Sequence, residues 1–291
     1  MQCRKPIVAG QFYPDNKEEC LSEIKRCLDE AELSGELPER ITAGIVPHAG
    51  WFFSGSTAAL TFSAIKKQYK QVNTFVIFGA AHRYMSTTPA IYEKGCWQTP
   101  LGDIFIDEQL AAQVLKTGTA IADCSIHRPE HSLEVQVPLI QYLFDDAKIV
   151  PIITPPAKDA IKLGEAVGEI ITAEKDKSIV CIGSTDLTHY GPGYGFSPVG
   201  TGPKAINWAD TVNDKQFIDL AIAMEPEKIL INAEEKSNAC GPGAAAATIA
   251  AAKKLGCRKG VLLSHTNSLK VMLSKMGRTS SEYVGYAAIV F

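Results

Sequence analysis

The chain has 291 residues, 46% hydrophobic and 21% charged, with a formal net charge of −3, proportions ordinary for a soluble globular protein. Basic residues never run beyond pairs such as Lys66-Lys67, which argues against nucleic acid as the main partner. No apolar run reaches the roughly 20 residues of a membrane span, so no membrane role is expected. Met1-Gln-Cys-Arg-Lys-Pro6 has no apolar stretch behind it to act as a secretory signal, and the eight cysteines show no C-x-x-C spacing. They are expected to be reduced thiols in a cytoplasmic protein, each by default a small buried hydrophobe.

Ile7 to Pro14 reads as a short apolar entry ending in a turn. Asp15 is placed to cap the helix that follows, with Glu18 completing a capping-box-like pair. Cys20, Leu21, Ile24, Cys27, Leu28 and Ala31 recur at helical spacing, which puts both cysteines on the core face. Thr42 to Val46 is an apolar strand running into Pro47-His-Ala-Gly-Trp51. His48 therefore sits on a tight strand-to-helix turn, before a helix from Gly55 to Tyr69. Thr74 to Phe78 is a second strand, ending in Gly79-Ala-Ala-His82. Pro89 to Glu93 predicts a further strand, and turn-rich Cys96 to Asp103 a hairpin into Ile104-Phe-Ile106. Asp107 caps a helix to about Leu115. Arg128 to Glu134 opens a helix that continues through Leu143, with Pro138 at a bend or in its first turn. Lys148 to Ile153 is a strand whose Pro151 favours an edge or a bulge.

A helix from Ala157 to Ala173 leads to the strand Ser178 to Ile182. Beyond it, Gly191 to Gly202 is a Gly- and Pro-rich loop of the kind that forms lids or binding loops. Helices Ala209 to Met224 and Pro226 to Ala233 follow. An Ala-rich helix then runs from Gly243 to Leu255, a strand from Gly260 to Ser264 with His265 at its end, and a closing strand from Tyr283 to Phe291. Strands alternating with helices predict an α/β fold: a single domain over residues 1–291, with a mostly parallel or mixed central β-sheet flanked by helices.

Of the six histidines, His48, His82, His189 and His265 end apolar strand-like runs. Ligands of open α/β sheets bind outside the carboxyl ends of the strands, so these imidazoles point to a metal or acid–base site. His127 has no such placement and is expected in a surface loop. His131 begins a helix, and His131-Ser-Leu-Glu134 puts an imidazole and a carboxylate on one side of it. Glu130 and Glu134 equally suit a helix N-terminus for their charge alone. In Asp186-Leu-Thr-His189 the pair can pass a proton, Asp186 can orient His189, or Asp186 can cap the next turn. Cys240 stands among small residues at a helix start, where partial positive charge favours a thiolate; close packing by Ala239-Cys-Gly241 is the competing explanation. A thiolate beside strand-end histidines suits Fe(II), Cu or Zn.

Together, Ala9-Gly-Gln-Phe-Tyr-Pro14, Val46-Pro-His-Ala-Gly50, Thr99-Pro-Leu-Gly102, His131-Ser-Leu-Glu-Val-Gln136, Ser184-Thr-Asp-Leu-Thr-His-Tyr190, Cys240-Gly241 and Tyr283-Val-Gly-Tyr-Ala287 resemble the Memo family. Its bacterial and archaeal members are called AmmeMemoRadiSam system protein B. The match runs nearly end to end, with the elements in order. The family resembles the class III extradiol dioxygenases, which use non-haem Fe(II), as in the LigB-type subunit of protocatechuate 4,5-dioxygenase. The resemblance implies a LigB-like α/β fold with the site at the edge of one central sheet. Carried over residue by residue, it implies His48, His82 and Cys240 as metal ligands, with Fe(II) favoured and Cu or Zn as alternatives. It places Asp186 and His189 in the same pocket as catalytic residues, His189 as the acid–base histidine, and Tyr13, Trp51 and His131 near its mouth as substrate-binding residues.

Two departures from the family pattern stand out. The dioxygenases close their metal triad with a carboxylate where this chain has Cys240, which is itself oxidisable. Gly79-Ala-Ala-His82 stands where relatives usually have Gly-Pro-Asn/Ser-His. Three functions remain in view. One is a metal-dependent oxidoreductase of dioxygenase-like kind. Another is a binding module that takes a small molecule or peptide in the cleft. The third is a metal-free thiol enzyme with Cys240 as nucleophile and His48 or His189 as base. Family association also implies a radical SAM protein and an AMMECR-type protein as partners.

Overall fold

The computed structural model describes residues 3–291. β1 (Cys3–Arg4) precedes α1 (Lys17–Asp29), whose N-cap is Asn16, in extended conformation and accepting from the Glu19 amide. The cap thus falls one residue past Asp15, at the last position with the extended backbone that an N-cap needs. Next come β2 (Ala43–Val46), α2 (Trp51–Gln68), β3 (Thr74–Gly79), β4 (Ala90–Ile91), and the hairpin of β5 (Cys96–Thr99) and β6 (Gly102–Phe105). Asp107 caps α3 (Glu108–Lys116) through the Leu110 amide, as expected. β7 (Ile121–Ala122), α4 (Val137–Leu143), β8 (Lys148–Ile153), α5 (Lys158–Ala173), β9 (Ile179–Ser184) and β10 (His189–Tyr190) follow. The remainder is α6 (Pro203–Trp208), α7 (Asp214–Ile222), α8 (Pro226–Lys236), α9 (Pro242–Lys254), β11 (Val261–Asn267), α10 (Ser268–Met276) and β12 (Tyr283–Val290).

Nine strands make the main sheet, in the order β10-β12-β2-β9-β3-β8-β4-β7, with β11 also paired to β12. β2, β9, β3 and β8 are parallel, whereas β12 runs antiparallel to β2 and β4 antiparallel to β8. The sheet is therefore mixed, with a parallel centre. Every residue of β2, β3 and β9 is buried, as parallel strands covered on both faces must be. Gly44 in β2 faces Thr61 of α2, and Gly183 in β9, one register step on, faces Thr248 of α9. The two helices so cover opposite faces. α1 and α4 pack with α2, and α5 packs with α9. Among the described residues no helix is long and apolar enough to cross a membrane.

Several expectations are corrected. Arg128 to Leu133 is not helical; a 3₁₀ turn at Glu134–Gln136 leads into α4, with Pro138 in its first turn. Here the Arg4 guanidinium donates to the backbone carbonyls of His127 and Glu130, acceptors that a helix would use itself, and Glu134 holds Arg4 in place at 2.6 Å while accepting from the Ile7 and Val8 amides and the Tyr13 hydroxyl. Glu134 is committed to the N-terminal segment and makes no hydrogen bond to His131. Pro151 lies in an interior strand, where its carbonyl accepts from the Tyr92 amide. Its nitrogen points to that same side, at the end of the short β4 ladder, so the missing N–H forgoes only the return bond to Tyr92. The helix expected from Ala209 starts at Pro203 and passes through a π turn at Ala209–Asn213. Two cysteines are not free thiols: Cys3 and Cys96, opposed in register between β1 and β5 with Cα atoms 4.5 Å apart, are joined as a disulfide. His127 is fully buried beside the rings of Tyr92 and Trp97, with Nε2 3.1 Å from the Ala90 carbonyl, and not in a surface loop.

Candidate metal centre

Val46 pairs with Ser184 and Phe78 with Gly183, so β2, β9 and β3 end together at one edge of the sheet. His48, Asp186 and His82 each follow one of these ends within three residues, the location at which parallel sheets bind ligands. The turn that carries His48 is held by Asp186, whose Oδ1 accepts the His48 amide at 2.7 Å and the Ala49 amide at 3.3 Å. The expected bond from Asp186 to His189 is not made. The Asp186 carboxylate is spent on backbone donors, and His189 directs Nδ1–H to the Leu187 carbonyl at 3.1 Å.

Three imidazoles converge. The rings of His82 and His131 stack at 4.8 Å, and His48 stands edge-on to them at 5.2 and 5.4 Å. One ring nitrogen from each lies within 4.8 Å of the others. His82 is oriented by Glu130, which takes its Nδ1–H at 2.9 Å and its amide at 3.1 Å, while the Ser132 amide donates to the same carboxylate at 2.9 Å. Burial opposes ionisation of Glu130, but the His82 hydrogen bond and charge outweigh it and hold the carboxyl at about 2. A carboxylate can only accept, so His82 carries a proton on Nδ1, and its neutral form presents the Nε2 lone pair. For His82 itself burial works against protonation and Glu130 raises it on balance. His48, only 2% exposed, is pushed well down by burial and then by His82 and His131. Burial likewise lowers His131. His48 is thus a neutral imidazole, the form that binds a metal.

A second group shares His48. Cys240 Sγ lies 3.1 Å from His48 Nε2 and accepts the Asp186 amide at 3.3 Å, and His48, Asp186 and Cys240 place ligand atoms within 4.8 Å of one another. Burial, then the Asp186 carboxylate, pushes the Cys240 thiol up, the reverse of the shift expected from its place before α9. Burial is a tertiary effect and overrides the local helix field. The packing explanation also holds: a Cβ on Gly241 would stand 2.5 Å from the Ser184 carbonyl oxygen. Imidazoles and a thiol suit Fe(II), Cu or Zn, and are poor donors for Mg or Ca.

The sequence-expected residues divide as follows. His48, His82, His131, Asp186 and His189 all line one cleft of about 290 Å³. Phe12, Phe53, Tyr194 and Tyr286 supply aromatic walls that sequence reasoning did not assign to the site; Phe12 and Tyr286 stand inside the family motifs and Tyr194 in the Gly/Pro-rich loop, whereas Phe53 carried no signal. Tyr13 and Trp51 do not line the cleft. They pack together at 5.2 Å behind it, bonded to Glu134 and to the Val135 carbonyl. Cys240 touches His48 but opens on a separate, larger cavity of about 820 Å³ between α5, α8 and the start of α9. That cavity is mostly aliphatic and holds no histidine, whereas the smaller one gathers four. His265 lies inside β11, away from the cleft, with Nε2 3.0 Å from the buried Asp214.

A family described as Memo-like protein matches residues 4–290. A MEMO1 family protein of Thermococcus onnurineus is 37% identical, covering 99% of each chain. Another from Pyrococcus furiosus is 38% identical over 99% of this chain and 98% of its own. A crystal structure of an uncharacterized protein from Escherichia coli K12 covers 84% of this chain and 99% of its own, with a TM-score of 0.47 and 13% identity, a likeness too distant to bear on function. With the match running nearly end to end and whole-length relatives above a third identical, the chain belongs to the Memo-like family.

Proposed function

We propose that this protein is a metalloprotein whose ion, Fe(II) by preference with Cu or Zn as alternatives, is held by His48, His82 and Cys240, and that it acts on a small hydroxylated substrate in the cleft. The supporting observation is that His48 belongs to both donor groups. His48 Nε2, His82 and Cys240 would hold an ion between them, one donor shared by both groups and one drawn from each. When bound, the ion would supply a Lewis-acid and redox centre. His189 donates its Nδ1–H to the Leu187 carbonyl, which leaves Nε2 as the nitrogen that would meet a substrate hydroxyl as its base. Asp186 does not assist by bonding to His189; it fixes the turn that presents His48. Phe12, Phe53, Tyr194 and Tyr286 line the cleft and would favour a planar ring.

The test is metal content. His48→Ala and His82→Ala should fold and lose the stoichiometric ion that the wild type carries after anaerobic purification without chelator. Full retention in both would end this reading. Loaded protein would then be screened with catechols and oxygen. The same aromatic walls favour a second reading, a cleft that recognises a peptide side chain. Peptide binding that is indifferent to metal loading would support it.

A further inference from the structure

Ser184, the last residue of β9, is fully buried, and its hydroxyl has three polar neighbours: the Ser132 carbonyl at 2.7 Å, His48 Nδ1 at 3.0 Å and Gln136 Nε2 at 3.2 Å. A hydroxyl has one proton and two lone pairs. The carbonyl of Ser132 can only accept, and among the described residues it has no other hydrogen-bond donor. Leaving a buried carbonyl unpaired is costly, so the Ser184 proton goes there. Gln136 Nε2 also meets the Pro47 carbonyl at 2.8 Å. Because that oxygen can only accept, the amide is fixed with its NH₂ toward Pro47 and Ser184. Gln136 therefore fills one lone pair of Ser184. The contact with His48 is then satisfied in one way only, with His48 donating.

We infer that Ser184 is a positioning residue that sets the tautomer of His48: the proton sits on Nδ1, and the bare Nε2 faces Cys240 and the metal position. Ser132 and Gln136 hold the hydroxyl in the required orientation. Glu130 does the same for His82 with a carboxylate. The two ligand histidines are thus set by different chemistry, one charged and one neutral. A neutral acceptor suits His48, which is deeply buried and stands 3.1 Å from a thiol. With Nε2 bare, the Cys240 S–H donates to it in the metal-free protein. The consequence for metal binding rests on the function proposed above, but the tautomer does not.

The experiment is long-range ¹⁵N–¹H NMR of the imidazoles in metal-free protein, with His48 identified by the signal lost in His48→Gln, alongside titration of wild type and Ser184→Ala with Zn²⁺. The expected result is Nδ1–H, bare Nε2 for wild-type His48. In Ser184→Ala, Nε2–H should appear and Zn²⁺ affinity should fall by about 10- to 100-fold, the usual cost of losing such a partner. Nε2–H in the wild type would overturn the inference. So would a folded Ser184→Ala that keeps both tautomer and affinity. If Ser184→Ala does not fold, the wild-type tautomer decides alone. Absence of Zn²⁺ binding by the wild type would count against the metal reading, while the tautomer would still decide this one.

Discussion

Glu130 binds His82 twice, through Nδ1–H at 2.9 Å and through the backbone amide at 3.1 Å. One buried carboxylate so fixes both the ring and the chain that carries it, in a loop that replaces the usual entry of β3 into a helix. Glu130→Gln keeps the shape, removes the charge and puts an NH₂ where an acceptor is needed. Zn²⁺ affinity should fall by about 10- to 100-fold with little change in fold, as read by calorimetric titration. Unchanged affinity would mean that His82 is not a ligand oriented by Glu130.

His189 and the ligand histidines should separate by their variants. His189→Asn is expected to keep wild-type metal content. Nitrocatechol added to loaded protein should then bind without the absorbance change that full deprotonation produces in the wild type, because the cleft base is gone. Loss of metal in His189→Asn would place it among the ligands instead.

Gly164 of α5 sits against the backbone of α9, where an added Cβ would collide with the Ala247 carbonyl oxygen. Alanine improves helix propensity by about 1 kcal/mol, yet overpacking typically costs about 1–3 kcal/mol and here the obstacle is backbone. Gly164→Ala should therefore lower the unfolding free energy measured in urea. A stabilised variant would show that the two helices can move apart freely.

His127 makes stability depend on pH. Burial, and then Arg4, pushes it down from 6.5 to about 3 in the folded chain. Between those values the unfolded chain binds a proton that the folded one refuses, so stability is complete above pH 6.5 and falls as pH drops toward about 3. The slope from this group is about 1.4 kcal/mol per pH unit in mid-window. His127→Gln retains a donor for the Ala90 carbonyl and does not titrate. Its unfolding free energy should lose about one proton's worth of pH dependence relative to wild type. Parallel curves for the two proteins would contradict this placement.

The strands that frame the centre were legible because β2, β3 and β9 are continuous apolar runs, each followed within three residues by His48, His82 or Asp186. Adjacent parallel strand ends then bring those side chains together without further information. Glu130 was legible only as a charge near a presumed helix start, since its bond to His82 depends on a loop folding back across 48 residues. Cys240 was found by its position, but its thiol was assigned the wrong direction because a helix terminus is a local feature and burial is not. His127 failed for the same reason: Tyr92, Trp97 and Arg4, which enclose it, lie far off in the chain. Tyr13 and Trp51 belong to motifs of the site, yet the structure uses them to brace its rear wall.

Elemental analysis of protein purified anaerobically without chelator, beside a Cys240→Ser control, tests the metal centre most directly. The wild type should carry near-stoichiometric iron, or copper or zinc in its place, and a folded control should lose it. A wild type that folds fully, carries no transition metal and takes up none when Fe(II), Cu or Zn is supplied would contradict the proposed centre.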